Sequence, residues 1–163
     1  MATNNVEITW GTTTDYTVTN LHSLASGDIW TSATLDDASP SNEWCRISYS
    51  VEWNATPVAG DSLIFRLAIA DEAASNEIIA GGCSGTEGSA TAAADVAAIQ
   101  QGCPIVWQHS WATSLGTTFE GVFDMHIPGP SFVLTCEANG EAIAAIGAIL
   151  RYRLGTSQIQ AAV

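Results

Sequence analysis

The sequence has few cations. Its 163 residues include no lysine and only four arginines, against 17 acidic residues, for a net charge of −13. Nucleic-acid binding needs clustered cations that displace counterions from phosphates, and the only close basic pair is Arg151 and Arg153. An anionic membrane is disfavoured for the same reason. We therefore expect neither nucleic acid nor membrane as a partner, but a protein surface that is neutral or locally basic.

Long apolar runs and paired cysteine motifs are also missing. No run of about 18 apolar residues occurs, so no span of a bilayer is predicted. The opening MATNNVEITW lacks the basic and apolar segments of a signal peptide, and we expect no export. The four cysteines include no C-x-x-C pair. Cys45 and Cys136 are predicted to be core residues. Cys83 and Cys103 flank a loop-like segment that a disulfide could close, and the sequence leaves this open.

Motifs of common enzymes do not occur. There is no G-x-S-x-G, and the glycine-rich stretch 81–85 lacks the lysine of a phosphate loop. Asp124 and His126, with Glu120 on the same strand face, could bind a metal or move protons. A solvent-exposed polar strand face produces the same pattern, and we favour that interpretation. His109, on one strand with two tryptophans, is interpreted as a half-buried histidine among aromatic residues.

Other polar residues are assigned to ordinary structure. His22 has no polar cluster around it, and the turn acids Asp36–Asp37 and Asp71–Glu72 are expected to cap backbone groups or face water. We predict no catalytic residues, no cofactor-binding residues, no metal ligands and no cofactor. The chain is accordingly expected not to be an enzyme.

Strict alternation of apolar and polar residues dominates the rest of the chain. In WCRISYSVEW (Trp44–Trp53) the odd positions are apolar and are expected to face the space between two sheets. The stretch 62–70 alternates as well, and it is predicted to form a hairpin with Trp44–Trp53. Asn139–Gly140 is a second hairpin signal. TAAADVAAIQQG predicts about ten helical residues that end at Gly102.

These patterns predict an all-β fold. The expected architecture is a single antiparallel β-sandwich, either jelly-roll or immunoglobulin-like, with about eight or nine strands and one short inserted helix, and we favour the jelly-roll type. Residues 1–20 are expected to form either an N-terminal arm or edge strands, and residues 21–163 the sandwich, within one domain overall.

Six tryptophans are the other marked feature, and they leave two interpretations open. Aromatic platforms on sandwiches can bind sugars, whereas aromatic side chains also fill cores and subunit contacts. We favour core or interface positions. The tryptophans are Trp10, Trp30, Trp44, Trp53, Trp107 and Trp111.

Four stretches resemble virion proteins of tailed bacteriophages, in particular capsid decoration (cement) or related head-surface proteins. They are WGTTTDYTVTNLHSLASGDIWTSATLDD, SYSVEWNATPVAGDSLIFRLAIADE, the GGCSG…AADVAAIQQ excursion, and DMHIPGPSFVLTCEANGEAIAAIGAILRYRLGTSQ. The resemblance spans most of the chain but includes no catalytic motif, so it transfers no functional residues.

The resemblance implies a structural protein on the virion capsid surface, made in the host cytoplasm. Its implied partners are the major capsid protein and further copies of itself, with a homotrimer expected. Apolar residues on the sheet faces, such as Ile64 and Val122, are the expected subunit contacts. The alternative is a carbohydrate-binding sandwich module of a phage fibre or tail.

Overall fold

Alternating sequence produces long strands in the computed structural model, which describes residues 5–36, 42–70, 79–111, 116–127, 129 and 131–160. Within these residues there are eleven strands, one α-helix and one 3-10 turn. In chain order they are β1 (Asn5–Trp10), β2 (Thr14–Asp15), β3 (Ile29–Thr31), β4 (Leu35–Asp36), β5 (Trp44–Trp53), β6 (Ser62–Ala70), the 3-10 turn (Ala80–Gly82), β7 (Gly88–Ala90), α1 (Ala93–Gly102), β8 (Ile105–Ser110), β9 (Thr118–His126), β10 (Ser131–Asn139) and β11 (Ile143–Gln160).

The strands form two antiparallel sheets. Sheet 1 has the order β1-β11-β5-β9, with β2 also paired to β11. Sheet 2 has the order β7-β3-β10-β6-β8, with β4 also paired to β10. Every strand pairing is antiparallel. The predicted all-β sandwich with one short inserted helix is therefore confirmed.

The main core lies between the two sheets. The odd-numbered residues of β5 are all buried, as the alternation predicts, and the even-numbered ones are half-buried or exposed. β9 contributes Phe119, Phe123 and Met125 to the same core. The largest fully buried side chains are Trp30, Trp53, Phe65, Phe119 and Phe132. Aromatic burial of this kind supplies most of the hydrophobic stabilisation of a sandwich.

The outer face of sheet 2 is covered by the inserted segment. α1 and the 3-10 turn pack over β6 and β10, where Ile99 and Cys103 meet Ala68 and Val133 in a second apolar cluster. α1 spans ten residues, and no helix in the described part of the chain combines the length and apolar character that a membrane span requires. Because of this cover, both faces of β6 are buried along nearly all its length.

One ion pair is buried beside this cluster. The Arg66 guanidinium donates a 3.1 Å hydrogen bond to Glu137, and the two side chains are only 10% and 8% exposed. Gln100 of α1 donates to the other carboxylate oxygen of Glu137 at 3.0 Å. The carboxylate is therefore satisfied from two sides, which offsets part of its desolvation.

Both predicted hairpins are wrong. β5 lies in sheet 1 and β6 in sheet 2, so residues 54–61 cross from one sheet to the other. The chain crosses again at Asn139–Gly140, because β10 pairs with β6 in sheet 2 whereas β11 pairs with β5 in sheet 1. Gly140 has φ of +116°, which permits a sharp change of direction there. β10 and β11 nevertheless pair with strands distant in sequence and not with each other.

The strand count exceeds the predicted eight or nine because several strands are very short. β2 and β4 have two residues each, too few for any alternation to be visible in the sequence. β1 pairs with the last part of β11, from Asn5 opposite Gln160 to Trp10 opposite Gly155. Residues 5–10 thus form an edge strand of sheet 1.

Candidate functional site

The outer surface of sheet 1, here called the open face, is an exposed strand surface whose polar side chains lie in ordered rows. The sheet register aligns side chains across it in rows. One row consists of Trp10, Gly155, Trp44 and His126, and the next row consists of Arg153, Arg46 and Asp124. The third row consists of Asp15, Arg151, Ser48 and Val122, and the fourth row consists of Ile149, Ser50 and Glu120. Residues at these positions are half-buried or exposed, apart from Gly155.

Arg46 is the best-ordered cation of the open face. Its Nε and Nη2 donate to the two carboxylate oxygens of Asp124 at 2.7 and 2.8 Å, a bidentate geometry. The same guanidinium lies 4.4 Å from the centre of the Trp10 ring, a cation–π contact. The hydrogen bond with Asp124 raises the pKa of Arg46 above its ordinary value. Strands β1, β5 and β9 are thereby linked on one surface.

Gly155 explains how Trp10 lies so close to the sheet. A Cβ atom at residue 155 would come within 2.8 Å of the Trp10 ring and 2.9 Å of Ile8. The absence of a side chain therefore lets the indole lie flat across β11 and extend to Arg46.

The carboxylate–imidazole group that the sequence offers as an alternative to an ordinary polar strand face does not assemble into a metal site in the described part of the chain. Glu120, Asp124 and His126 do share the exposed side of β9, as the alternation indicates. Each, however, has its own partner: Glu120 accepts a hydrogen bond from Ser50 at 3.0 Å, Asp124 binds Arg46, and the His126 ring meets Trp44 edge-on at 5.6 Å. No cluster of three or more His, Cys, Asp or Glu side chains suited to a metal exists among the described residues.

A shallow depression of about 410 Å³ lies at one end of the open face. Glu52, Glu120, Ile146 and Ile149 line it, together with His22. His22 Nε2 lies 3.2 Å from the carbonyl oxygen of Ala148 and is held by the backbone. Among the described residues no tryptophan, tyrosine or phenylalanine lines the depression, so it lacks the usual stacking platform of a sugar site.

The charge of the open face differs from that of the chain. Three of the four arginines are there, and the fourth, Arg66, is buried beneath α1. Four carboxylates accompany the three exposed arginines: Asp15, Glu52, Glu120 and Asp124. The open face is thus almost neutral in a protein of net charge −13. Outside this face the described residues include exposed carboxylates such as Asp36 and Asp95 but no exposed arginine, so that part of the surface is negative.

Aromatic side chains close one side of the sandwich, where β8 of sheet 2 lies opposite β9 of sheet 1. Trp107 stacks on Phe123 with ring centres 5.6 Å apart and planes at 9°. His109 and Trp111 both stack on Phe119, at 4.6 and 4.4 Å. We call this set the aromatic edge. His109 is half-buried there, as expected.

Tyr49 supplies the polar contacts of the aromatic edge, a role that the sequence did not indicate. Its hydroxyl accepts a hydrogen bond from Trp107 Nε1 at 3.1 Å and lies 2.7 Å from His109 Nδ1. A neutral His109 that accepts at Nδ1 fits this arrangement, and burial lowers the pKa of His109 below its ordinary 6.5. Burial likewise raises the pKa of Tyr49.

Gly121 makes room for Tyr49. The two residues are cross-strand partners, and a Cβ at residue 121 would lie 2.4 Å from the tyrosine hydroxyl. The glycine in the middle of TFEGVFDMH is the one sequence signal that a large side chain lies across this strand.

The six tryptophans therefore divide by location. Trp30 and Trp53 are fully buried, and Trp111 packs against the core. Trp107 is 40% exposed but stacks on Phe123 with one ring face. Trp10 and Trp44 flank Gly155 on the open face, where Arg46 covers the first and His126 meets the second.

The cysteines also divide. Cys45 and Cys136 are buried core residues, and burial raises the pKa of the Cys45 thiol to about 12. Cys83 and Cys103 are free, and the interaction between their thiols lowers the pKa of Cys103 and raises that of Cys83. Cys83 and Cys103, the two cysteines that a disulfide could join, therefore lie together beside α1.

Of the two pairs of acids that the sequence assigns to turns, only Asp36 lies among the described residues, and it is in strand β4 rather than in a turn. Asp36 is exposed in β4, opposite Ser131 of β10. Asp37 and the pair Asp71–Glu72 lie outside the described residues.

Of the two expected subunit contacts, Ile64 is 9% exposed and so buried within the chain, whereas Val122 is 56% exposed on the open face. The sequence matches no protein-family model and no curated protein. The likeness to phage decoration proteins therefore depends on the sequence stretches quoted above.

Proposed function

We propose that the protein is a structural virion protein of a tailed phage, which decorates or cements the outer capsid surface through contacts between subunits. Its partners would be the major capsid protein and further copies of this chain, with a homotrimer as the expected assembly. It would be made in the host cytoplasm, would act on the capsid surface and would catalyse no reaction.

The observation that carries this proposal is the open face. It exposes Val122 and Ile149 beside charged residues that are already paired, and it is almost neutral. Exposed apolar side chains ringed by paired polar groups are typical of protein contact surfaces. The acidic remainder of the surface would in turn attract a capsid protein whose outer loops are locally basic.

The order of the strands supports the jelly-roll architecture that the sequence patterns favour. Counted in chain order, the eight principal strands (β1, β3, β5, β6, β8, β9, β10 and β11) pair first with eighth, second with seventh, third with sixth and fourth with fifth. A long hairpin wrapped around a barrel axis produces this pairing, and jelly rolls occur in viral capsid domains.

Carbohydrate binding is the second candidate, and one observation favours it. Trp107 exposes part of its indole at the aromatic edge, and a single exposed ring can stack against a sugar. Against this candidate, Trp10 is covered by Arg46 and most other tryptophans are packed in the interior or against it. No pair of tryptophans forms an uncovered side-by-side platform among the described residues.

Co-sedimentation separates the two candidates. Purified protein is mixed with capsids of the encoding phage that lack surface decoration, pelleted, and quantified against capsid protein. The proposal predicts saturable binding at a fixed ratio and a rise in the temperature at which the capsids break. A glycan array should give no signal. Absence of binding to capsids, together with binding to defined glycans that Trp107→Ala abolishes, would replace the proposal by the second candidate.

A further inference from the structure

The open face is distinguished from the outer surface of sheet 2 by its lack of cover. Sheet 2 carries α1 and the 3-10 turn on its outer side, and these bury a second apolar cluster. On sheet 1 the corresponding positions of β5 and β9 are half-buried or exposed, and Val122 and Ile149 expose about half of their surface. In the part of the chain that the structure describes, the open face is therefore the one surface of sheet size left for a partner.

We propose that the open face is the surface through which copies of this chain associate. The inference deepens the proposed function and rests on it for its biological role. It commits to a second copy as the occupant of this face, through contacts centred on Val122 and Ile149 and bordered by Arg46, Arg151 and Arg153.

Charge is the first reason for a second copy. Two molecules that each carry −13 repel each other in most orientations. The open face holds three arginines against four carboxylates, so two copies that meet through it bring together nearly neutral surfaces. Because both signs of charge are present, the arginines of one copy can meet carboxylates of its neighbour.

The size of the surface is the second reason. Four strands spaced by ~4.8 Å, with about nine residues each at ~3.3 Å rise, cover roughly 600 Å². Two such faces would bury roughly 1,200 Å² in total, the lower end of the range for specific protein interfaces. The apolar centre is small, so we expect association in the micromolar range that becomes effective when copies are held side by side on a shell.

The test compares matched substitutions by multi-angle light scattering and sedimentation velocity, over a concentration series. Val122→Asp places a carboxylate in the centre of the open face, and Arg151→Glu reverses one of its bordering charges. Val58→Asp is the control, because Val58 is 65% exposed in the connection between β5 and β6, away from this face. Thermal melts establish that each variant is folded. Both test positions are exposed, where a substitution usually changes the free energy of unfolding by no more than about 0.5 kcal/mol.

The inference predicts that the wild type and Val58→Asp form the same assembly. Val122→Asp and Arg151→Glu should each raise its apparent dissociation constant at least about tenfold, which corresponds to ~1.4 kcal/mol. A wild-type chain that stays monomeric at all concentrations would overturn the inference, as would test variants that assemble like the control.

Capsid binding is measured on the same samples, so that this inference and the proposed function can fail separately. A wild type that assembles through the open face but ignores capsids leaves the inference standing and removes the virion role. A wild type that binds capsids as a monomer, and whose binding Val122→Asp abolishes, assigns the open face to the capsid protein and overturns self-association.

Discussion

The Tyr49 hydroxyl is the most informative single atom for the packing of the aromatic edge. Tyr49→Phe removes the acceptor of the Trp107 indole N–H and the partner of His109 Nδ1, and leaves the ring in place. A lost hydrogen bond that leaves partly buried partners unsatisfied costs about 1–2 kcal/mol. For a chain of this length that corresponds to a fall in melting temperature of about 3–6 °C.

Tyr16→Phe is the matched control. The Tyr16 hydroxyl is buried and has no hydrogen-bond partner in the described part of the protein, and burial raises its pKa. Removal of an unsatisfied buried hydroxyl should therefore leave the free energy of unfolding within about 0.5 kcal/mol of the wild type, or increase it. Urea unfolding with a shared slope measures both variants. Equal losses in the two variants would refute the claim that Tyr49 is a hydrogen-bonding centre.

Three further outcomes are expected. Arg66→Met should lower the free energy of unfolding by about 3 kcal/mol, because it leaves the buried Glu137 carboxylate without its cation. Arg151→Ala is the control: it removes an exposed ion pair and should change the free energy of unfolding by less than about 0.5 kcal/mol. Urea unfolding measures both. The folded-state pKa of His109 is depressed, so its contribution to the free energy of unfolding is present above pH 6.5 and declines as the pH falls below that value. His109→Gln should therefore reduce the dependence of the melting temperature on pH between pH 7.5 and 5. An unchanged dependence would contradict this prediction. Oxidised glutathione should join Cys83 to Cys103 by thiol–disulfide exchange, releasing two equivalents of reduced glutathione and stabilising the fold by about 3 kcal/mol; peptide mapping that finds both thiols free would exclude this.

Local periodicity was enough to predict which residues of β5 and β9 are buried, but not those of β6, whose outer face is also covered. The alternation in β5 and β9 gave the correct inner side for Tyr49 and Phe123, because burial of one sheet face imposes a period of two. The Ala-rich stretch likewise predicted α1 with its last residue at Gly102. Both signals depend only on near neighbours in the chain.

Strand partners could not be predicted in this way. Asn139–Gly140 has the composition of a hairpin turn, yet it joins strands of different sheets. Pairing is decided by which apolar faces close the core, and Asn5 pairs with Gln160 across nearly the whole chain. The open face was missed for the same reason, since Arg46 and Arg153 become neighbours only through the pairing of β5 with β11.

Electron cryomicroscopy of undecorated capsids incubated with the purified chain tests the central claim most directly. The account predicts ordered extra density of sandwich shape on the outer shell, at a fixed set of symmetry-related positions, with the α1 side and the open face distinguishable by fitting. Capsids that remain bare at saturating protein, under conditions in which the chain is folded, would contradict it.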